Sequence, residues 1–414
     1  MNKNTLSFLG VLSIVVVLLG LNYSFTPFGE IISEKLTNEE EVSEEKEQTK
    51  VIDAVDTIFN KFNDKDKVGQ LISWPIVIEK DGKIDDNGLT QDVYLGLLSK
   101  KNVGFFTLFG DKISTNSAKS TIDKLHEYNG SVLLPWVAVD HEGGKVQRLD
   151  GEGFTRLASW NSICKLDQKI TQRVLDQSAE ELKEVGVNIV LAPMVDLGAP
   201  RGVLNNRLCS SNPDIITKQA NLFINAFKQQ GILSVLKHFP GIGSVKEDLH
   251  KEFAVGRVGI EDVFIYRTLL DLTPDLGVMI SHIGVDNQFA QIPCSLSPDC
   301  VGELTNNYHQ ALVFTDALDM KAAYYVSEST TGAELKEQSL GDVTKRAILA
   351  GNNVLIYGPS VNVEQLSEVY DMLIREYNSD GNFKQKVDQS VRKIISYKLG
   401  LPIEKDEIQY KKLK

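Results

Sequence analysis

The residues best suited to chemistry lie in one stretch, Lys237 to His250, which reads Lys-His-Phe-Pro-Gly-Ile-Gly-Ser-Val-Lys-Glu-Asp-Leu-His. A proline and two glycines in its first half favour a loop that continues neither a strand nor a helix. Asp248 and His250 are separated by one residue, so an extended or turn conformation lets them approach each other. A carboxylate beside an imidazole orients the ring and raises its basicity. This pair therefore predicts a general acid/base that works at neutral pH.

Two other interpretations of this stretch are open. Asp248 and His250 could be an ordinary solvated pair, although two of the six histidines of the chain lie in this short segment. His238, Asp248 and His250 could together bind zinc, although the nearby sequence offers no further ligand cluster. We favour the acid/base pair over both.

Charged and imidazole side chains also stand at the ends of predicted strands. Asp140, the pair Lys237 and His238, His282 and Asp316 each follow or end a short apolar run. The carboxyl ends of parallel strands converge on one face of an α/β protein, where active sites are built. We therefore expect these side chains to meet in one site.

The elements that would position them begin at about Val51, where apolar runs start to alternate with amphipathic stretches. Runs without in–out alternation suit strands that are covered on both faces. The predicted strands are Gln70–Trp74, Val103–Phe109, Leu133–Val139, Val187–Leu191, Ser234–Leu236, Gly277–Ser281, Leu312–Phe314 and Asn353–Tyr357. The predicted helices include Asp167–Val185, Pro213–Gln230, Glu261–Leu272, Val361–Tyr377 and Asn382–Gly400. This alternation predicts an α/β fold, a single (β/α)₈ barrel of the TIM type over residues 51–414, with a doubly wound open sheet as the competing architecture.

The first fifty residues differ in composition from the rest. An apolar run from Leu6 to Leu21 follows a lone Lys3, so residues 1–22 predict a signal peptide or a transmembrane anchor. Residues 23–50 are charge-dense and poor in apolar side chains, which predicts an acidic linker. The single lysine before the apolar run and the acidic residues after it favour an outward-facing domain. We therefore expect the protein at the extracellular face of the cell membrane, either anchored or secreted.

The net charge of −12 speaks against a nucleic-acid partner. Four basic and eight acidic residues precede Val51, so −4 belongs to the leader and −8 to the rest of the chain. An acidic body without a lysine or arginine cluster does not suit a phosphate backbone. We expect a monomer with its N-terminal segment in the membrane.

The four cysteines show neither a Cys-x-x-Cys pair nor metal-ligand spacing. Export would permit a disulfide, and Cys294 and Cys300 are close enough in sequence to form one. We nevertheless expect Cys164, Cys209, Cys294 and Cys300 to be buried and unpaired.

The stretch Lys-His-Phe-Pro-Gly-x-Gly, followed after four residues by Asp-x-His, resembles the signature of the β-N-acetylglucosaminidases of glycoside hydrolase family 3. In that branch of the family the histidine of the Asp-x-His pair is the general acid/base. The resemblance implies this role for His250, with Asp248 as its partner. It also implies that Lys237 and His238 bind sugar hydroxyls.

Other segments resemble the same family in the expected order. Val139–Leu149 looks like its Asp-x-Glu-Gly-Gly-x-Val-x-Arg segment, which implies sugar contacts for Asp140 and Arg148. Asn188–Asp196 resembles the strand before the arginine loop of the family, and the matching arginine is Arg207.

The C-terminal half carries further matches. Val278–His282 and Pro293–Ser297 resemble family segments, so we regard His282 as a lesser substrate-binding candidate. Val313–Met320 resembles the strand end that bears the nucleophile, which implies this role for Asp316. We interpret the neighbouring Asp319 as a helix cap.

Three departures from the family pattern lie in the acid/base loop. Ile242 stands where the family usually has histidine, residues 244–247 lack the usual Asp-Thr, and Leu249 stands where serine is common. These differences concern loop conformation and aglycone preference, because the groups that carry the chemistry are retained.

The resemblance implies a retaining exo-β-N-acetylglucosaminidase that removes terminal N-acetylglucosamine from a peptidoglycan-type glycan. Asp316 would attack the anomeric carbon while His250 protonates the leaving oxygen, and His250 would then deprotonate water. Such a mechanism needs neither a metal nor an organic cofactor. The alternatives are a β-glucosidase-like enzyme, a phosphorolytic enzyme, and a catalytically silent glycan-binding surface protein.

Overall fold

The protein is described by a computed structural model over residues 54–79, 82–85, 88–129, 132–199, 202–286, 292–325 and 338–401. Residues from Val55 onward belong to one unit of the chain. The predicted signal or anchor segment, 1–22, and the predicted linker, 23–50, lie outside the described residues. Among the described helices, none combines the length and the apolar character needed to cross a membrane.

Eight parallel strands pair side by side in chain order. They are β1 (Ile72–Ile78), β2 (Phe105–Gly110), β3 (Trp136–Val139), β4 (Ile189–Val190), β5 (Leu233–Phe239), β6 (Gly277–Ile280), β7 (Leu312–Thr315) and β8 (Leu355–Ile356). Strand β8 returns to pair with β1, and a parallel bridge joins Phe314 of β7 to Val354 just before β8. The sheet is therefore a nearly closed barrel.

Helices separate the successive strands, and further helices precede β1 and follow β8. They are α1 (Asp64–Gln70), α2 (Gln91–Lys101), α3 (Thr115–Glu127), α4 (Trp160–Ile163), α5 (Gln168–Glu184), α6 (Pro213–Gln229), α7 (Ile260–Leu272), α8 (Pro298–Thr305), α9 (Leu340–Ala350), α10 (Val363–Ser379) and α11 (Gly381–Leu399). Local sequence sets their ends: the Asn212 side chain caps α6 before Pro213, and Ser339 and Asp342 form a capping box at α9. Gly351 ends α9 in the left-handed conformation that glycine adopts readily.

The predicted parallel α/β fold is confirmed, and the strands do pack on both faces. In β2, the adjacent residues Phe105 and Phe106 point to opposite faces, and both are buried. The doubly wound alternative is not observed, because the strands follow one another around the barrel in chain order. Strand β5 is longer than the predicted Ser234–Leu236, because its pairing with β6 resumes at Phe239 after an irregularity. This extension places Lys237 and His238 on the strand itself.

The prediction of unpaired cysteines is wrong. Cys164 is bonded to Cys209, and Cys294 is bonded to Cys300, with Cα atoms 5.6 and 5.3 Å apart respectively. All four residues are buried, as expected. The fold brings Cys164 and Cys209 together across 45 residues of sequence, a proximity that spacing alone does not reveal.

Candidate active site

A cavity of about 740 Å³ is lined by residues at and just beyond the carboxyl ends of the barrel strands. Its size suits a small ligand. Eight of the nine predicted site residues line it, namely Asp140, Arg148, Arg207, Lys237, His238, Asp248, His250 and Asp316. Of the five side chains expected to meet because they stand at strand ends, Asp140, Lys237, His238 and Asp316 line the cavity, whereas His282 does not.

At one wall of the cavity, which we call the charged wall, Asp140, Arg207 and Lys237 line the cavity and are joined into a network by the buried Glu142, which lies outside the lining. Lys237 Nζ lies 2.8 Å from Asp140 Oδ1 and 2.5 Å from Glu142 Oε1. Arg207 donates two hydrogen bonds of 2.8 Å to the Glu142 carboxylate. Burial alone would raise the pKa of Glu142, but Arg207 and Lys237 outweigh it and hold that pKa far below its ordinary value. The network therefore presents fixed charges at the cavity wall.

Lys237 is equally constrained. Its side chain is only 3% exposed. Burial lowers the pKa of Lys237, yet the Asp140 and Glu142 carboxylates more than compensate and leave that pKa raised. The ammonium group is therefore held in its charged form on the cavity wall by these two carboxylates.

Asp316 stands directly after β7. Its Oδ1 accepts a 2.8 Å hydrogen bond from the N–H of Ala317. Burial alone would raise the pKa of Asp316, but His238 and His282, followed by the Ala317 N–H and Lys237, outweigh that effect and lower it. An ionised carboxylate on the cavity wall can act as a nucleophile.

Asp248 and His250 both line the cavity, but the contact between them differs from the predicted one. The carboxylate of Asp248 accepts a 3.1 Å hydrogen bond from the backbone N–H of His250. Its other oxygen lies 2.9 Å from Lys251 Nζ, and this hydrogen bond lowers the pKa of Asp248. The observed partners of the Asp248 carboxylate are therefore Lys251 and the His250 backbone N–H, in place of the predicted contact with the imidazole. His250 itself is exposed.

Comparisons with known proteins give the family. The profile described as the glycosyl hydrolase family 3 N-terminal domain matches residues 65–397. This chain belongs to glycosyl hydrolase family 3. The resemblance inferred from the motifs is confirmed, and the chain is a glycoside hydrolase.

Relatives within the family carry a narrower name. A beta-hexosaminidase of Psychromonas ingrahamii is 32% identical over 247 residues, which cover 57% of this chain and 71% of the relative. Beta-hexosaminidase A of Pseudoalteromonas piscicida is 27% identical over 252 residues, 54% of this chain but only 42% of that relative. The solved beta-N-acetylhexosaminidase of Beutenbergia cavernae shares the fold, with a TM-score of 0.69, 22% identity, and coverage of 82% of this chain and 99% of its own.

Two buried carboxylates of this family 3 hydrolase were not recognised from the sequence as site residues. One is Glu142 of the charged wall. The other is Asp196, which follows β4 and is 1% exposed. Its Oδ2 lies 2.8 Å from His238 Nδ1 and accepts the backbone N–H of His238, and its Oδ1 accepts the backbone N–H of Ile242 at 2.7 Å. Asp196 thus orients the His238 ring, and its carboxylate directs that ring's Nδ1 proton away from the cavity.

His282 is not placed as predicted. This imidazole is fully buried and is absent from the cavity wall. Its Nδ1 lies 2.6 Å from Ser295 Oγ, and its Nε2 lies 3.0 Å from the carbonyl oxygen of Ala317. It therefore supports the backbone beside Asp316 instead of facing the ligand space.

Asp319 lines the cavity but is committed to the loop after β8. Its carboxylate accepts a 2.6 Å hydrogen bond from the Gly358 N–H and a short one from the Ser360 hydroxyl. The interpretation as a helix cap is wrong, since the groups that it binds belong to this loop.

Zinc binding by His238, Asp248 and His250 finds no support in the site. Over the described residues, no three histidine, cysteine, aspartate or glutamate side chains are placed to share a metal ion. His238 Nδ1 already faces Asp196, and Asp248 already faces Lys251.

Proposed function

We propose that the protein is a retaining exo-β-N-acetylglucosaminidase, with Asp316 as nucleophile and His250 as general acid/base. The observation that carries this proposal is the placement of both residues on one cavity, where neighbouring groups lower the pKa of Asp316 against the effect of burial. The beta-hexosaminidase names of several relatives support N-acetylhexosamine as the sugar.

In the first step, an oxygen of Asp316 attacks the anomeric carbon of the terminal sugar. The bond from that carbon to the leaving oxygen breaks, and the leaving oxygen takes a proton from His250. In the second step, His250 removes a proton from water, whose oxygen displaces Asp316 and restores the free carboxylate. Two displacements at one carbon retain its configuration.

The charged wall would bind the sugar hydroxyls. Asp140 can accept hydrogen bonds, whereas Lys237, Arg207 and Arg148 can donate them. Arg148 Nε lies 3.9 Å from Asp140, beyond hydrogen-bond length, and this buried donor has no hydrogen-bond partner within the described part of the chain. An unpaired buried donor costs free energy until a ligand satisfies it, which suits a substrate contact.

We further propose a peptidoglycan-type glycan as the substrate and the outer face of the cell membrane as the location. The apolar run Leu6–Leu21 supports export. The two disulfides support it independently, because disulfides persist in oxidising compartments and are rare in the cytosol.

A comparison of two aryl glycosides tests the activity. The protein should release the aryl group from a β-N-acetylglucosaminide much faster than from the matched β-glucoside, and the first-formed sugar should be the β-anomer by NMR. Asp316→Asn serves as the control for contaminating enzymes. Preference for the glucoside would favour the β-glucosidase alternative, and a sugar phosphate formed in phosphate buffer would favour phosphorolysis. Failure to cleave either glycoside, with tight binding to wall glycan, would favour the silent binding protein.

A further inference from the structure

The loop that carries His250 is joined to the segment that carries Asp316 at two points. We define the acid/base loop as residues 240–254, after β5, and the nucleophile segment as residues 316–325, after β7. The carbonyl oxygen of Leu249 accepts a 3.1 Å hydrogen bond from the N–H of Ala322. The rings of Phe253 and Tyr325 stack with centroids 4.0 Å apart and planes 5° from parallel. One contact lies just before His250 and the other three residues after it.

We propose that the Phe253–Tyr325 stack is a positioning clasp, which keeps His250 at a fixed place relative to Asp316. This inference rests on the proposed role of His250 as acid/base. The side chain of His250 is exposed, and the hydrogen bond from His250 to Asp248 is donated by the backbone N–H. Its location is therefore inherited from its neighbours in the loop. Because Tyr325 belongs to the segment that starts at Asp316, the clasp fixes the position of His250 relative to Asp316.

Other contacts already hold both ends and the first part of the acid/base loop, so only residues 250–253 depend on the clasp. At its start, the Ile242 N–H is bound by the buried Asp196. At its end, a short parallel pairing joins Val255–Gly256 to Gly284–Val285. Between these points Ile242, Val245 and Leu249 are buried and tether the first part of the loop. Residues 250–253 extend past those tethers, and the ring of Phe253 ties them back to the nucleophile segment.

The expected effect is moderate. An aromatic pair contributes enough to change an equilibrium by about two- to tenfold beyond the area that it buries. Phe253 and Tyr325 are both half-buried, so truncation of either ring should leave the barrel folded. Loss of the clasp should lower the population in which His250 is correctly placed, and it should leave Asp316 untouched.

The test uses leaving-group chemistry on the full chain. Phe253→Ala and Tyr325→Ala should each lower kcat/KM for a β-linked N-acetylglucosamine disaccharide by about two- to tenfold. The matched dinitrophenyl glycoside has a leaving group, dinitrophenolate, that departs without a proton. Its glycosylation step, measured as a pre-steady-state burst, should therefore keep the normal rate. The double variant should be no slower than either single one, since both changes remove the same contact. Phe253→Tyr should restore the rate, and amides of residues 249–254 should exchange faster in the alanine variants.

The matched control is Phe264→Ala, a phenylalanine that is 50% exposed on α7, outside the loop. This variant should react with both substrates at the normal rates. Equal slowing of both substrates by Phe253→Ala, additive losses in the double variant, or unchanged rates and exchange would each overturn the clasp. His250→Ala separates this failure from that of the proposed function: if it is selective for the disaccharide while Phe253→Ala is not, only the clasp is rejected. If His250→Ala itself lacks selectivity, the acid/base assignment is rejected.

Discussion

The nucleophile segment and the acid/base loop reach the same cavity by different constructions. Asp316 follows a fully buried strand, and its charge is set by the imidazoles, the backbone N–H and the lysine around it. His250 is exposed on a loop between β5 and Val255, and loop contacts fix its place. The barrel therefore controls the electrostatics of one group, whereas loop packing controls the position of the other.

The largest expected effect separates Asp316 from its neighbour Asp319. Asp316→Asn should reduce kcat by roughly 10⁴- to 10⁶-fold, because an amide cannot form the glycosyl ester. Asp319→Asn should lose far less, since the amide oxygen can still accept the Gly358 N–H. Steady-state rates on an aryl N-acetylglucosaminide check both variants. Equal losses would mean that the nucleophile within this segment is wrongly assigned.

The next effect concerns His250. His250→Ala should slow disaccharide cleavage by roughly 10²- to 10⁴-fold, the usual contribution of a positioned acid. It should leave glycosylation by a dinitrophenyl glycoside almost normal, and it should accumulate the glycosyl-enzyme, detectable by mass spectrometry. Added azide should rescue turnover, because azide attacks without a base. An equal slowing of both substrates, with no azide effect, would make His250 a binding residue.

A third prediction tests the charged wall. Glu142→Gln should lower the free energy of unfolding by about 3–5 kcal/mol, because it leaves the buried Lys237 and the partly buried Arg207 with less charge compensation. Urea denaturation measures this change. The control is Asp123→Asn, which breaks the exposed pair with Lys119 and should cost under about 1 kcal/mol. Similar losses of unfolding free energy in the two variants would show that burial does not strengthen the contribution of the Glu142 contacts to stability.

The smallest expected effect concerns Lys251. Lys251→Met removes the hydrogen bond that lowers the pKa of Asp248, so that pKa should rise towards its ordinary value. Asp248 would then be protonated at higher pH, and the acid limb of the kcat/KM profile should move to higher pH if ionised Asp248 assists His250. The rate at the optimum should change by no more than about fivefold, because Lys251 is 77% exposed. An unmoved acid limb would exclude Asp248 from the ionisations that control the rate.

The sequence was sufficient where the signal is local. Apolar runs located all eight barrel strands, because parallel strands are buried on both faces and keep no alternation. The spacing of Asp248 and His250, and the position of Asp316 after its strand, identified residues that the fold brings to one cavity.

The sequence was insufficient where function depends on distant partners. Asp196 meets the ring of His238 across 42 residues, and Glu142 meets Arg207 across 65. His282 ends a strand like the other candidates, but the side on which its ring packs is set by Ser295 and Ala317. Asp248 binds Lys251 and the His250 backbone N–H, and residue types alone do not decide between these partners and the imidazole.

The disulfide between Cys164 and Cys209 has a consequence for chain entropy. It closes a loop of 45 residues, and Arg207 lies two residues from its second cysteine. Such a cross-link removes freedom chiefly from the unfolded ensemble, by an amount worth about 4 kcal/mol for a loop of this length. In a reducing cytosol the same chain would lack this disulfide, and a much larger fraction of it would therefore be unfolded. The yield of active protein should then be higher from an oxidising compartment than from a reducing cytosol.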